Sequence, residues 1–180
     1  MEEEAFKLGE IFIPDKCDKL ALAGVLHDIT KKLKTDEQLK LCDEYGIIVD
    51  KDNIVPKLLH SRTGCEFARR RFGAEIVDDE IYYAILYHTT GKAGMSLFES
   101  LVYLADYIEK NRTFGDCKKL RRYFYKNLKK GKDDKFEVLR KTLILSFDMT
   151  IKNLIKEDQK IDKDTIEVRN YFLTNKFRFK

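Results

Sequence analysis

Apolar residues recur three and four positions apart along almost the whole chain. Leu97, Leu101, Leu104, Ala105 and Ile108 fall on one helical face, and so do Leu139, Leu143, Ile144, Phe147, Ile151 and Leu154. That spacing matches 3.6 residues per turn, not the two-residue alternation of a strand. A proline inside such a run would remove a backbone hydrogen bond and break the helix. The two prolines, Pro14 and Pro56, lie outside these runs, and glycine is sparse. The pattern therefore predicts an all-α fold. The 180 residues carry no repeat, linker or low-complexity stretch, which predicts one domain over 1–180 with a sizeable core.

Caps and stops divide the pattern into elements. A first apolar helix contains Leu20, Ala23, Gly24 and Leu26 and reaches His27. Thr35 is a suitable N-cap for a helix to about Tyr45, where Gly46 stops it. His60 opens a helix closed by Gly73, and Asp78 or Asp79 caps another that contains Ile81, Ile85, Leu86 and His88. Residues 89–94 read as a loop, and Ser96 caps the helix that follows. A basic segment from Lys118 to Lys132, a long helix from Asp134 to about Lys156 and a short one from Asp164 to Leu173 complete the chain.

The bulk chemistry narrows the function classes. No run is long and apolar enough to span a bilayer. The start, MEEEAFKLGE, is acidic and amphipathic, unlike a signal peptide. Cys17, Cys42, Cys65 and Cys117 are far apart with no Cys-x-x-Cys pair, as expected of reduced thiols in a cytoplasmic protein. A net charge of +4 favours a small polyanionic substrate. In LRRYFYKNLKKGK, cations and aromatics interleave as they can on an RNA surface. An amphipathic helix with its aromatics turned to the core accounts for the same pattern, and nucleic acid is not the expected partner.

The chain has three histidines, and each fits a metal site: His27 beside Asp28, then His60, then His88. Imidazole with carboxylate suits iron, manganese, cobalt, nickel or zinc. Neighbours on a helix point about 100° apart, so His27 and Asp28 can share an ion lying over a helix edge. Asp28 has a second oxygen with which to bridge another ion, at roughly the 4 Å used for in-line phosphoryl displacement. His60 and His88 lie on other helices, as ligands of that second ion would. Asp106 sits among Leu101, Val102, Leu104, Ala105 and Ile108, where a bare carboxylate must be paired or metal-bound. Taken singly, His60 could be an ordinary helix N-terminal residue, His88 a helix C-terminal cation, and Asp106 a partner of Lys110 or Arg112. Lys31, Lys32, Arg62 and Lys92 flank these positions as candidate phosphate contacts. Thr89, Thr90 and Gly91 could offer hydroxyls and amides to a phosphate, or form a plain helix stop.

The segments LAGVLHD, HSRTGCEFARRRFG and YHTTGKAGMSLFESLVYLADYIEKNR resemble the HD-domain superfamily and, within it, the bacterial YqeK family. The resemblance is strong over 19–112 and weaker over the C-terminal helices of 113–180. Ala93 stands where the family usually has proline. The resemblance implies a single HD-domain helical bundle with a dinuclear centre, iron by preference. It implies symmetrical hydrolysis of diadenosine tetraphosphate (Ap4A) to two ADP by a metal-bridging hydroxide. His27, Asp28 and Asp106 would hold the first metal, and Asp28, His60 and His88 the second. Asp28, Lys31 and Lys32 would serve catalysis, and Arg62, Thr89, Thr90, Gly91 and Lys92 would bind the nucleotide. The family pattern has a further histidine upstream, at a distance that falls before Met1. The expectation is a sequence that begins late and a first metal short of one ligand. Two alternatives stand beside this: an HD-domain hydrolase of another nucleotide, and a non-catalytic nucleotide-binding module. A homodimer is left open.

Overall fold

A computed structural model describes residues 1–50 and 55–175; the rest of the expected 1–180 span lies outside the described residues. Every regular element among them is helical. The long helices are α1 (Glu2–Phe12), α2 (Cys17–Leu26), α3 (Thr35–Tyr45), α4 (Leu59–Phe72), α5 (Asp79–Tyr87), α6 (Leu97–Ile108), α7 (Gly115–Lys130), α8 (Lys135–Lys156) and α9 (Lys163–Thr174). Single 3-10 turns, Pro14–Lys16 and Pro56–Leu58, lead into α2 and α4. Each has proline at its first position, where the missing N–H costs nothing. None of the helices is long and apolar enough to cross a membrane.

Helix α6 is the central element. It packs against α1, α2, α5, α7 and α8, and Leu101, Val102, Leu104, Ala105 and Ile108 are fully buried. Apolar on nearly every side, it belongs in the interior, where each such side chain contributes about 1.5–3 kcal/mol through burial. Ser96 accepts from the Glu99 N–H, and Glu99 accepts in return from the Ser96 N–H, a reciprocal cap that fixes where α6 begins. The surrounding helices bury their inner faces in one cluster that runs from Ala5 in α1 to Phe172 in α9. Helix α1 approaches α2 closely because Gly9 lacks a side chain; a Cβ there would lie 2.9 Å from the Cys17 Cα.

Several boundaries differ from the sequence reading, among them α9, which runs Lys163–Thr174 instead of Asp164 to Leu173. Lys34, not Thr35, caps α3, because Glu37 reaches back to the Lys34 N–H at 2.7 Å. Leu59 rather than His60 opens α4. His88 caps the end of α5 instead of lying within it. The basic 118–132 segment is the amphipathic helix α7. Leu120 and Phe124 are fully buried, Phe124 stacks on Phe12 at 6.4 Å, and the Tyr125 hydroxyl donates to Glu4.

Gly91 ends the α5 connection in a left-handed conformation (φ +68°), and an added Cβ would meet the Phe147 ring at 2.8 Å. Backbone strain and overpacking then act together at one atom. Gly91→Ala is expected to lower unfolding free energy by about 2–5 kcal/mol in chemical denaturation. A loss below about 0.5 kcal/mol would mean that Phe147 gives way freely, contrary to this account.

Candidate metal centre

Helix α2 ends one residue before the His27–Asp28 pair. The chain then tightens into three-residue bonds: Ile29 N–H to the Leu26 carbonyl, Lys31 N–H to that of Asp28, and Leu33 N–H to that of Thr30. At about three residues per turn, Lys31 returns over Asp28, and its ammonium lies 2.6 Å from Asp28 Oδ2. Lys32 turns to solvent.

Three other helices bring ligand atoms to the same point. His60 arrives on the first turn of α4, His88 from the end of α5, and Asp106 from α6. His60 Nε2 and His88 Nε2 stand 3.2 and 3.4 Å from Asp28 Oδ1 and 3.1 Å from one another. His27 Nε2 lies 3.1 Å from Asp28 Oδ2 and 3.4 Å from Asp106 Oδ1. Ligand atoms of His27, Asp28 and His88 all fall within 4.8 Å of each other, a spacing that could hold an ion.

The imidazoles are aimed. His27 Nδ1 donates to the Gly24 carbonyl at 2.7 Å, and His88 Nδ1 to that of Ile85 at 2.6 Å. Each bond directs the other ring nitrogen into the centre, the usual arrangement behind a metal-ligating histidine. The His60 carbonyl accepts from Thr30, whose hydroxyl also meets that of Thr63. Thr63 in turn donates to Gln38, so the loop after α2 is bonded to α3 and α4.

His27 Nε2 and Asp28 Oδ1 are buried, and their close neighbours approach at ion-pair distance without the alignment of a hydrogen bond. Leaving buried polar atoms unpaired costs about 1–3 kcal/mol each. Both are metal-donor atoms at the converging point, so the residues fit a divalent ion. The electrostatics agree. Burial disfavours the His27 imidazolium, but the Asp106 and Asp28 carboxylates outweigh it and push its pKa up to about 9. Burial also opposes the Asp28 anion, yet the three imidazoles hold its pKa far below the ordinary carboxylate range. Burial lowers His88, which suits a neutral nitrogen ligand.

A cleft of about 520 Å³ opens over His60, His88 and Asp106. Lys31 and Thr89 line it, together with Lys57 and Arg112, which the sequence reading did not select as site residues. Arg112 grips Asp106 with one guanidinium nitrogen 2.6 and 2.5 Å from the two oxygens. Arg121 donates to the carbonyls of Ile108, Glu109 and Arg112, holding that segment.

Other candidates lie elsewhere. Arg62 faces a separate groove with Cys65, Glu66 and Asp162. Lys92 pairs with Glu99 at 3.6 Å and sits over the Tyr87 ring. Thr90 faces away from the cleft, in two neighbouring cavities. The Gly91 N–H donates to the Tyr87 carbonyl, so that amide is already used within the loop.

Residues 3–111 match the sequence model of the HD domain. A Halalkalibacterium halodurans protein, the symmetrical bis(5'-nucleosyl)-tetraphosphatase, is 34% identical over 171 residues, covering 95% of this chain and 84% of its own. The Staphylococcus aureus protein of the same name is 32% identical, covering 94% and 81%. Among solved structures, a predicted HD superfamily hydrolase involved in NAD metabolism from Clostridium acetobutylicum superposes with a TM-score of 0.81. It is 33% identical, with 96% of this chain and 85% of that one covered.

A proton on His27 and a metal ion compete for one lone pair. Because the metal-free pKa is raised to about 9, metal binding at pH 7 must expel that proton. Apparent manganese affinity is expected to rise about tenfold per pH unit from pH 7 to 9 and then level off, with close to one proton released per site. Calorimetry in buffers of different ionisation enthalpy reads both quantities. An affinity that is flat across this range would remove His27 from the ligand set.

Proposed function

From the premise that this chain belongs to the HD-domain family, whose His-Asp pair it carries at His27 and Asp28, we propose that it is a metal-dependent phosphohydrolase cleaving Ap4A symmetrically into two ADP. Its relatives named for that reaction span most of its length. The observation that carries the reading is the Asp28 carboxylate, with His60 and His88 beside one oxygen and His27 beside the other. This arrangement supports two adjoining cation sites bridged by Asp28. His27, Asp28 and Asp106 would hold one ion, and Asp28, His60 and His88 the other. We take the native metal to be iron; manganese, cobalt, nickel and zinc suit the same donors. When bound, the ions supply Lewis acidity toward phosphoryl oxygens and lower the pKa of water.

The protein's own groups bind and orient the polyphosphate. Lys31, Lys57 and Arg112 line the cleft from three directions. Their cations clamp the phosphates and offset the charge that builds on the oxygens during in-line displacement. Arg112 also keeps Asp106 turned toward His27. With the middle of the tetraphosphate over Asp28, water adds to one inner phosphorus and a complete ADP leaves. We read the chain as one HD domain extended by α7 to α9, in a cytoplasmic enzyme whose four cysteines are free thiols.

Anaerobic incubation with ferrous iron or manganese and Ap4A, followed by chromatographic separation, tests this directly. ADP is expected as the sole nucleotide product, and Asp28→Ala should abolish its formation even with metal in excess. ATP with AMP would overturn symmetrical cleavage. Absence of turnover with each metal would overturn the hydrolase reading.

A further inference from the structure

Helix α7 carries seven cations and one carboxylate, Asp116. That is a net +6 on one helix of a chain whose total is +4, so everything else together nets −2. The cations are also segregated by face. At about 100° per residue, Lys118, Arg122, Lys126 and Lys129 fall within about 80° of one another, and Lys119 and Lys130 widen the strip to about 120°. All six are exposed. Leu120 and Phe124 point roughly the opposite way, into the core, with Leu128 packed beside them. Arg121 lies off the strip, bonded to the carbonyls at the end of α6.

The core claims the aromatics on one side of α7 and leaves the cations on the other without a role. Several surface cations elsewhere are paired: Lys16 and Lys19 with Glu80, Arg69 with Asp79, Lys141 with Asp133 and Arg169 with Asp148. On the α7 strip only Lys119 has an ion-pair partner among the described residues, Asp116 at 3.6 Å. Successive members stand about 6 Å apart along the helix. That is inside the roughly 8 Å screening length of physiological salt, so their fields add. One further side chain lies in line with them. Phe114 precedes Lys118 by one turn, and it is 69% exposed.

A run of unpaired, evenly spaced cations is complementary to a repeating line of phosphates. An exposed aromatic at the end of such a run offers a stacking platform to an unpaired base, which a duplex does not present. A membrane-surface helix has to turn its apolar face to lipid, and that face of α7 is occupied by Phe12 and the rest of the core. We propose that the outer face of α7 binds single-stranded nucleic acid. The phosphate backbone runs along Lys118, Arg122, Lys126 and Lys129, and a base stacks on Phe114. Contacts of this kind position a strand without reading its sequence. The sequence expectation against a nucleic-acid partner weighed the aromatics alone; the cations opposite them reverse it. None of these residues lines the metal cleft, so the inference does not rest on the hydrolase reading.

Fluorescence anisotropy of the full chain with a labelled oligouridylate of about twelve nucleotides tests the assignment. Binding is expected to weaken with salt at a log–log slope of about −3, from four phosphate contacts at about 0.7 each. Arg122→Glu with Lys126→Glu should weaken it more than tenfold and roughly halve the slope. Phe114→Ala should cost roughly tenfold with the oligouridylate, the scale of one stacked base, and nothing with an abasic oligonucleotide of the same length. All three substitutions are at exposed positions, and unchanged manganese binding checks that the variants are folded. Binding that ignores salt, or that survives the double charge reversal intact, would overturn the proposal. Equal losses for both probes in Phe114→Ala would overturn the stacking contact. Capture by phosphatidylserine vesicles with no binding of the oligonucleotide would assign the face to a membrane instead.

Discussion

The Asp28 carboxylate lies within 3.4 Å of three imidazole nitrogens, and much of the fold can be traced to that convergence. Burying an anion is expensive unless positive charge accompanies it. Four separate segments bring side chains to this point: the tightened turn after α2, the first turn of α4, the end of α5 and the last turn of α6. The four side-chain positions lie eighteen or more residues apart in the chain, so they come together only when the helices are packed. Helix α6, buried on nearly all sides, supplies the fixed reference, and the Thr30–Thr63–Gln38 hydroxyl and amide chain locks the more irregular turn against α4 and α3.

The side chains that converge on Asp28 were legible in the sequence because they have few alternative uses. Three histidines and an aspartate in an apolar helix limit the options sharply. The helices were legible for a similar reason, since their period survives any detail of packing. Boundaries were less so: Glu37 reaching back to Lys34 decides the start of α3, while Thr35 looks equally suitable on type alone.

The cations divide along helical geometry. Arg62 follows His60 by two positions, about 200° around the helix, and it faces the other groove accordingly. Lys57 precedes His60 by three and lines the same cleft. The placement of Arg62 follows from periodicity once α4 is accepted, whereas Lys57 is placed by the Pro56–Leu58 turn that leads into it. Lys31 and Lys32 separate because the turn after α2 runs at about three residues, not 3.6, and no residue type announces that change. Arg112 lies beyond the end of α6, where period gives no direction; carbonyl bonds from Arg121 set its path. Gly91 reads as a loop glycine and is one, but the constraint on it comes from Phe147, distant in sequence and pressed against it.

The distribution of charge around the cleft bears on how a tetraphosphate would be held. Lys31 and Arg112 are paired with Asp28 and Asp106, the same carboxylates that would ligate metal. A divalent ion at those oxygens would take over the neutralisation that the two cations now provide. Lysine and arginine would then be available to phosphate oxygens without being carried into the site by the substrate. Their side chains already line the cleft over that cluster, so little reorganisation would be needed if charge developed there, which is where fixed electrostatic groups act most strongly. Lys57 differs: it pairs with no carboxylate among the described ion pairs and bonds instead to a neutral amide, Gln159. The two kinds of cation thus differ in their partners, one set paired with the carboxylates of the cluster and one bonded to a neutral amide.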